Sequence, residues 1–295
     1  MERKKASDFS QDILDMYDAY AHGRMSKRQF LTGASKYAVG GLTAMGIYEA
    51  MKPNYALANQ VAPDDPAITT SIETFNSPNG QGEVSGLLAR PADGPDKLPA
   101  VLVIHENRGL NPYIEDVARR LAKQGFLALA PDGLSPIGGY PGNDDEGKAM
   151  QKSIDGAKLL EDFFAGFDHI MSHPGSTGNA GAVGFCYGGG VCNALAVNFP
   201  EMKASVPFYG RQAAAEDVPR IESPLLIHYG GLDERINAGW PAYEEALKAN
   251  GKAYEAHIYE GANHGFHNDT TPRYDEAAAT LAQDRTIAFF KEMLA

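Results

Sequence analysis

Short, nearly unbroken apolar runs alternate along this chain with longer stretches of helical period. The runs at 100–104, 126–130, 179–184, 204–209 and 225–229 have the length and composition of strands in a buried sheet, and a further strand is expected at 254–259. Between them, 111–123 carries Ile114, Val117, Ala118 and Leu121 on one side of a helix. Further helices are expected in a stretch ending near 171, over 191–199, over 238–250 and from about 275. Two strands, at 68–76 and 83–90, precede the alternation. Strand and helix in turn predict an α/β fold, with a mostly parallel central sheet and helices on both faces. In such sheets ligands gather beyond the C-terminal ends of the strands. No internal repeat or low-complexity block interrupts the pattern.

The first 60 residues are patterned differently. Ile13, Leu14, Tyr17 and Tyr20 suit one face of a helix. Ser26 and Gln29 have capping-box spacing, Met25 and Phe30 occupy the two positions of a hydrophobic staple, and Pro53 stands just past a helix end. A second pattern competes with this one. Ser26-Lys27-Arg28-Gln29-Phe30-Leu31, a Gly/Ala-rich stretch and then Ala56-Leu57-Ala58 resemble a twin-arginine export signal with Lys27 in place of the first arginine. Lys36 and Glu49 break up its apolar stretch. The expectation is therefore a folded helical hairpin at 1–60 ahead of one catalytic domain at 61–295, with a cytoplasmic location and the periplasm as the alternative. Such a hairpin could pack on its own domain or form a homodimer contact.

Composition narrows the partners. A chain of 295 residues with 43% hydrophobic content can bury a full core, and no stretch reads as a stable membrane span. A formal net charge of -12 argues against nucleic acid and against an anionic membrane surface. The two cysteines, Cys186 and Cys192, lie about 9 Å apart along one helix and on different faces, so no disulfide joins them.

The chemistry concentrates where strand meets helix. Gly184-Phe185-Cys186-Tyr187-Gly188 follows a buried strand and opens a helix, the setting of a nucleophile elbow with cysteine in the serine position. Glycine flanks are needed because so tight a turn strains the nucleophile's backbone and brings other backbones close. Asp233 in Gly230-Gly231-Leu232-Asp233 and His264 in Gly261-Ala262-Asn263-His264-Gly265-Phe266 stand just beyond two later strands. Nucleophile, acid and base in that order are the arrangement of the α/β-hydrolase scaffold, preceded here by the N-terminal helical segment. Taken alone, the pentapeptide could be a packing turn with Cys186 as a small buried hydrophobe. After the strand at 100–104 comes His105-Glu106-Asn107-Arg108-Gly109, where such enzymes place their first oxyanion loop. The backbone N–H groups of Tyr187 and Asn107 are the expected donors, worth about 3 kcal/mol each.

With these motifs the chain, over about 68–295, looks like the dienelactone hydrolase family, the carboxymethylenebutenolidases. The resemblance implies a cysteine hydrolase of small esters or lactones. It also implies that Glu106 contacts the resting thiol and helps to generate the thiolate. The residues by themselves also allow Glu106 to pair with Arg108 or to cap its loop. Two departures bear on substrate. The family's carboxylate-binding arginines are missing: 134–140 holds no basic residue, and the position four past His264 is Asn268. Arg108, Arg211 and Arg273 could substitute, although each also reads as a solvated charge. A neutral ester or lactone fits better than an acidic one. Tyr140, Tyr187, Tyr209 and Trp240 could line the pocket or simply pack.

The expected reaction passes through a thioester on Cys186, with His264 as base and acid and Asp233 orienting it, and needs no metal or organic cofactor. His169 and His173, spaced i, i+4, lack a third ligand and read as surface histidines. Of His105, His228, His257 and His267, only the first and last lie near the expected pocket. Two other readings remain at this level. One is a redox-responsive thiol protein, for which Cys192 is poorly placed as a resolving partner. The other is a non-catalytic binding module on the same fold.

Overall fold

The computed structural model describes residues 4–38 and 43–295. The chain opens with α1 (Gln11–Ala21), α2 (Lys27–Ala34) and α3 (Ala44–Met51). Ser26 and Gln29 form the capping box at the start of α2, and Thr43 caps α3. The hairpin expectation is corrected in one respect: the stretch from 27 to Pro53 is two helices, α2 running into a 3-10 turn at Ser35–Tyr37 before α3 begins afresh. The sequence carries Gly40 and Gly41 in between, each costing a helix interior about 1 kcal/mol. Ile13, Leu14, Tyr17 and Tyr20 from α1 meet Phe30 and Tyr48 in a small separate core.

The main sheet follows. Strands β1 (Ile68–Ser77), β2 (Gly82–Pro91), β3 (Leu98–Ile104), β4 (Leu127–Pro131), β5 (Ser176–Phe185), β6 (Ala204–Phe208), β7 (Leu225–Gly230) and β8 (Tyr254–Tyr259) form one sheet in the order β1-β2-β4-β3-β5-β6-β7-β8. The first two pairings are antiparallel and the rest parallel. Helices α4 (Pro112–Lys123), α5 (Asp144–Ser153), α6 (Gly156–Ser172), α7 (Tyr187–Asn198), α8 (Glu234–Asn237), α9 (Trp240–Ala249) and α10 (Glu276–Met293) make the connections. The long helix expected to end near 171 is α5 and α6, separated where the Asp155 side chain accepts the N–H groups of Ala157 and Lys158 and starts a new helix.

Both faces of the sheet are covered, as the unbroken apolar runs require. Along β3, Val101 and Val103 join one core with Ile114, Phe185 and Phe290, whereas Leu102 and Ile104 join the other with Phe163 and Leu195. Period-two alternation thus serves two cores at once. None of the described helices is long and apolar enough to cross a membrane.

Candidate active site

Cys186 sits on the turn between β5 and α7 with φ 56° and ψ -108°, a conformation that a residue with a Cβ rarely adopts. The flanking glycines permit it. A Cβ on Gly184 would lie 2.1 Å from the Gly188 carbonyl oxygen, and one on Gly188 would lie 2.3 Å from that of Ile104. The elbow is therefore pressed against the end of β3, with the 105–109 loop beside the first turn of α7. Cys186 N–H donates to Phe208 O at 3.0 Å, tying the turn to β6.

Asp233 follows β7 and His264 follows β8, and their side chains meet at 2.5 Å between His264 Nδ1 and Asp233 Oδ2. Nδ1 carries the hydrogen that the carboxylate accepts, which leaves Nε2 as the bare ring nitrogen. That atom is buried and has no hydrogen-bond partner among the described residues. Burial alone would raise the Asp233 pKa, but His264, through its charge and its hydrogen bond, and Arg235 outweigh it and hold the carboxyl below its ordinary value. The Tyr209 ring stands 4.9 Å from that of His264, and Tyr209 itself has φ 37°.

A second histidine, absent from the sequence expectation, reaches the thiol. His22, just past the end of α1, places Nε2 3.1 Å from Cys186 Sγ. Its Nδ1 faces the Asp18 carbonyl oxygen at 2.8 Å and Asp18 Oδ1 at 3.1 Å. Asp18 is held in turn by Arg24 at 2.7 Å, Arg235 at 3.5 Å and Arg273 at 3.7 Å. Burial works against the His22 imidazolium, yet the Cys186 sulfur and Asp18 together raise its pKa above the ordinary value. Asp18 is likewise opposed by burial, but His264, His22 and Arg273 prevail and hold it well below the usual carboxylate range.

Ligating atoms of Cys186, His22 and His264 all lie within 4.8 Å of one another. Arg235 Nη2 is 3.4 Å from His22 Nε2 and 3.3 Å from His264 Nδ1, so a fixed cation already stands against both imidazoles. A cleft of about 520 Å³ opens beside them, lined by Asp18, Arg24, Asp233, Arg235, His264 and Arg273.

Other expected residues fall differently. Glu106 is buried and accepts a hydrogen bond from Asn268 Nδ2 at 3.2 Å, so a neutral carboxamide at the departed arginine position meets this carboxylate. Tyr187 N–H lies in the first turn of α7, while its ring packs toward Phe163. Asn107 donates through Nδ2 to Ala21 O at 2.9 Å, docking the 105–109 loop onto the end of α1. Arg108 is not a solvated charge: it is buried and pairs with Asp144 at 2.8 Å. With Tyr17, Tyr20 and Tyr140 it lines a separate cavity of about 180 Å³. Arg273 is buried as well, beneath Tyr17 and near Asp18. Trp240 is corrected to a packing residue, because its ring meets Tyr229, Tyr243 and Tyr254 in a cluster on β7 and α9 rather than the site.

The remaining histidines have structural partners. His105 bonds Glu106 O and accepts Gly133 N–H. His267 lies between Tyr113 and Gln283, and burial pushes its pKa down to about 3. His169 and His173 share Glu73 at 3.1 and 3.9 Å. Cys192 is a free, fully buried thiol whose pKa burial pushes up, the opposite of what a resolving thiol needs.

Comparison with known proteins identifies the family. Residues 84–294 match the model of the dienelactone hydrolase family, and residues 1–39 match a separate one described as YqhI-like. A Bradyrhizobium sp protein named as a 2-oxo-3-(5-oxofuran-2-ylidene)propanoate lactonase is 32% identical over 72% of this chain and 90% of its own length. A carboxymethylenebutenolidase, so named, of Escherichia coli O157:H7 is 30% identical over 78% of this chain and 89% of its own. The hydrolase fragment YghX of Escherichia coli K12 is 60% identical over 39% of this chain and 97% of its own. Among solved structures, a Klebsiella pneumoniae protein assigned as a dienelactone hydrolase superposes with TM-score 0.67 at 26% identity, covering 76% of this chain and 99% of the other.

Proposed function

The chain belongs to the dienelactone hydrolase family and is a lactone or ester hydrolase, and from that premise we propose that Cys186 is its nucleophile. One observation carries this reading. Cys186 stands strained at the head of α7, with its sulfur within 4.8 Å of an imidazole ligand atom of His264, which Asp233 orients at 2.5 Å. Each part is matched to a need: a thiol at the tip of the elbow, buried beside two imidazoles, a base with a bare Nε2, and a carboxylate that fixes the tautomer and supports the imidazolium.

The sulfur attacks the carbonyl carbon and forms a tetrahedral oxyanion, which the N–H groups of Tyr187 and Asn107 stabilise. Collapse expels the alkoxide and leaves a thioester on Cys186. Water, deprotonated by His264, attacks that thioester; the sulfur departs and the acid is released. Glu106, whose family role is to help generate the thiolate, is buried and accepts from Asn268 Nδ2, while the group that meets the resting thiol is His22. The cleft lined by Arg24, Arg235 and Arg273 is the entry route and suits a small ester or lactone. The Bradyrhizobium lactonase name favours the lactone.

Replacing Cys186 with alanine tests the reading. Turnover of p-nitrophenyl acetate should fall to the uncatalysed rate, with the fold unchanged by circular dichroism. Retained turnover would move the chemistry to another residue.

A further inference from the structure

We infer that His22, delivered by the N-terminal helices, is a catalytic residue that takes the Cys186 proton in the acylation half-reaction, leaving His264 to activate water in the second half. The inference rests on Cys186 being the nucleophile and goes beyond it.

Hydrogen-bond logic assigns the proton. His22 Nδ1 faces a carbonyl oxygen at 2.8 Å; a carbonyl can only accept, so Nδ1 must carry the hydrogen. Nε2 of neutral His22 is then bare and can only accept, and the group 3.1 Å away is the Cys186 thiol. The S–H bond breaks, an Nε2–H bond forms, and the electron pair stays on sulfur. The products are a thiolate and an imidazolium whose charge Asp18 Oδ1 meets at 3.1 Å. When the tetrahedral adduct collapses, the departing alkoxide takes that proton from Nε2, which returns His22 to neutrality. His264 meanwhile keeps a bare Nε2 with no partner among the described residues, available for the proton of the attacking water.

The N-terminal segment is fixed to the site by bonds that a passenger would not need. Ala21 O accepts from Asn107 Nδ2 at 2.9 Å, Tyr20 O from Lys148 Nζ at 3.2 Å, and Asn263 Oδ1 from Gln11 Nε2 at 2.8 Å. Asn107 and Asn263 flank the oxyanion loop and the catalytic histidine. His22 is faced by Asp18 from its own helix, Cys186 from the elbow, Arg235 from α8 and His264 from the loop after β8. Asp18 faces the His22 ring and Asp233 the His264 ring, and these carboxylates favour an imidazolium, which burial and the Arg235 guanidinium oppose. Residues 1–39 lie outside the matched hydrolase family region, so this dyad is an addition to that scaffold.

Pre-steady-state kinetics with p-nitrophenyl acetate on the full chain separate the two imidazoles. His22→Gln should slow the burst of p-nitrophenol about 10²-fold without accumulating acetylated enzyme. His264→Gln should retain the burst and accumulate acetyl on Cys186, read by intact mass. Added imidazole should restore part of the burst to His22→Ala, which a purely structural role would not allow. Asp18→Asn, which leaves the imidazole in place, should slow the burst less than His22→Gln and serves if the His22 variants do not fold. A wild-type burst in folded His22→Gln, or in Asp18→Asn should the His22 variants not fold, overturns the inference, as does loss of the burst in His264→Gln. Turnover retained in Cys186→Ala would instead remove the nucleophile assignment itself.

Discussion

Single residues carry most of the strain and most of the chemistry. The positive φ of Cys186 is held in place because Gly184 and Gly188 let three backbone segments touch. A methyl group at Gly188 would meet Ile104 O at 2.3 Å and His105 O at 2.8 Å, and both are backbone atoms that cannot swing aside. Gly188→Ala should therefore cost about 3 kcal/mol in urea unfolding. Its effect on turnover should be larger than its stability loss explains, because the oxyanion loop would be pushed away from Tyr187 N–H. Asp233 acts through His264: replacing it with asparagine presents an amide that can donate to Nδ1, which favours the wrong tautomer. Asp233→Asn should lower kcat by about 10²- to 10⁴-fold and carry KM down with it, since only the second half-reaction is slowed, measured with a soluble ester across pH 6 to 9.

At the scale of elements, legibility in the sequence tracked how local the cause was. The buried strands β3 to β7 declare themselves by short apolar runs, and the elbow by glycines around one cysteine, since each depends on residues within a few positions. Asp233 and His264 could be singled out because each follows a strand whose end is itself predictable. His22 was not, because its partner is 164 positions away and nothing near Gly23 announces a ligand; its one local sign is the i, i+4 spacing from Asp18. Arg273 and Arg108 were misread as solvated for the same reason, their burial being supplied by α1 and by Asp144. For Trp240 the sequence left pocket lining and packing both open, because it does not say which face of α9 looks at the site; the structure packs it against Tyr229. The attachment of the helices is itself testable. Asp145 accepts hydrogen bonds from both Tyr20 and Tyr48, and Lys27 and Lys148 stand nearby. Asp145→Ala leaves two hydroxyls without their acceptor, a loss of about 1 to 3 kcal/mol. The peptide bonds after Arg24 and Lys27 should then become markedly more sensitive to trypsin, while the hydrolase domain resists it as before.

Across the whole molecule, protonation couples the fold to pH with opposite signs in its two parts. His105, His228 and His267 are buried, and burial holds each below the ordinary histidine pKa. A depressed folded pKa means that the unfolded chain binds the proton first, so their contribution is complete above about pH 6.5 and is lost as pH falls. For His267, whose folded value is about 3, the loss continues down to that pH at about 1.4 kcal/mol per unit. Asp18, Asp145 and Asp233 are also depressed and add a second loss below about pH 3.9. His22 runs the other way. Its pKa is raised, so its contribution is complete below about pH 6.5 and fades as pH rises through the folded value. The global melting temperature should therefore fall steadily as pH drops from about 6.5 toward 3, and His267→Gln should flatten that slope even if it lowers the melting temperature at neutral pH. Protection of α1 amides against hydrogen exchange should weaken toward alkaline pH in the wild type beyond the intrinsic rise in exchange rate. In His22→Gln that pH dependence should disappear. A melting temperature unchanged between pH 6.5 and 4 would contradict the buried neutral state of these histidines.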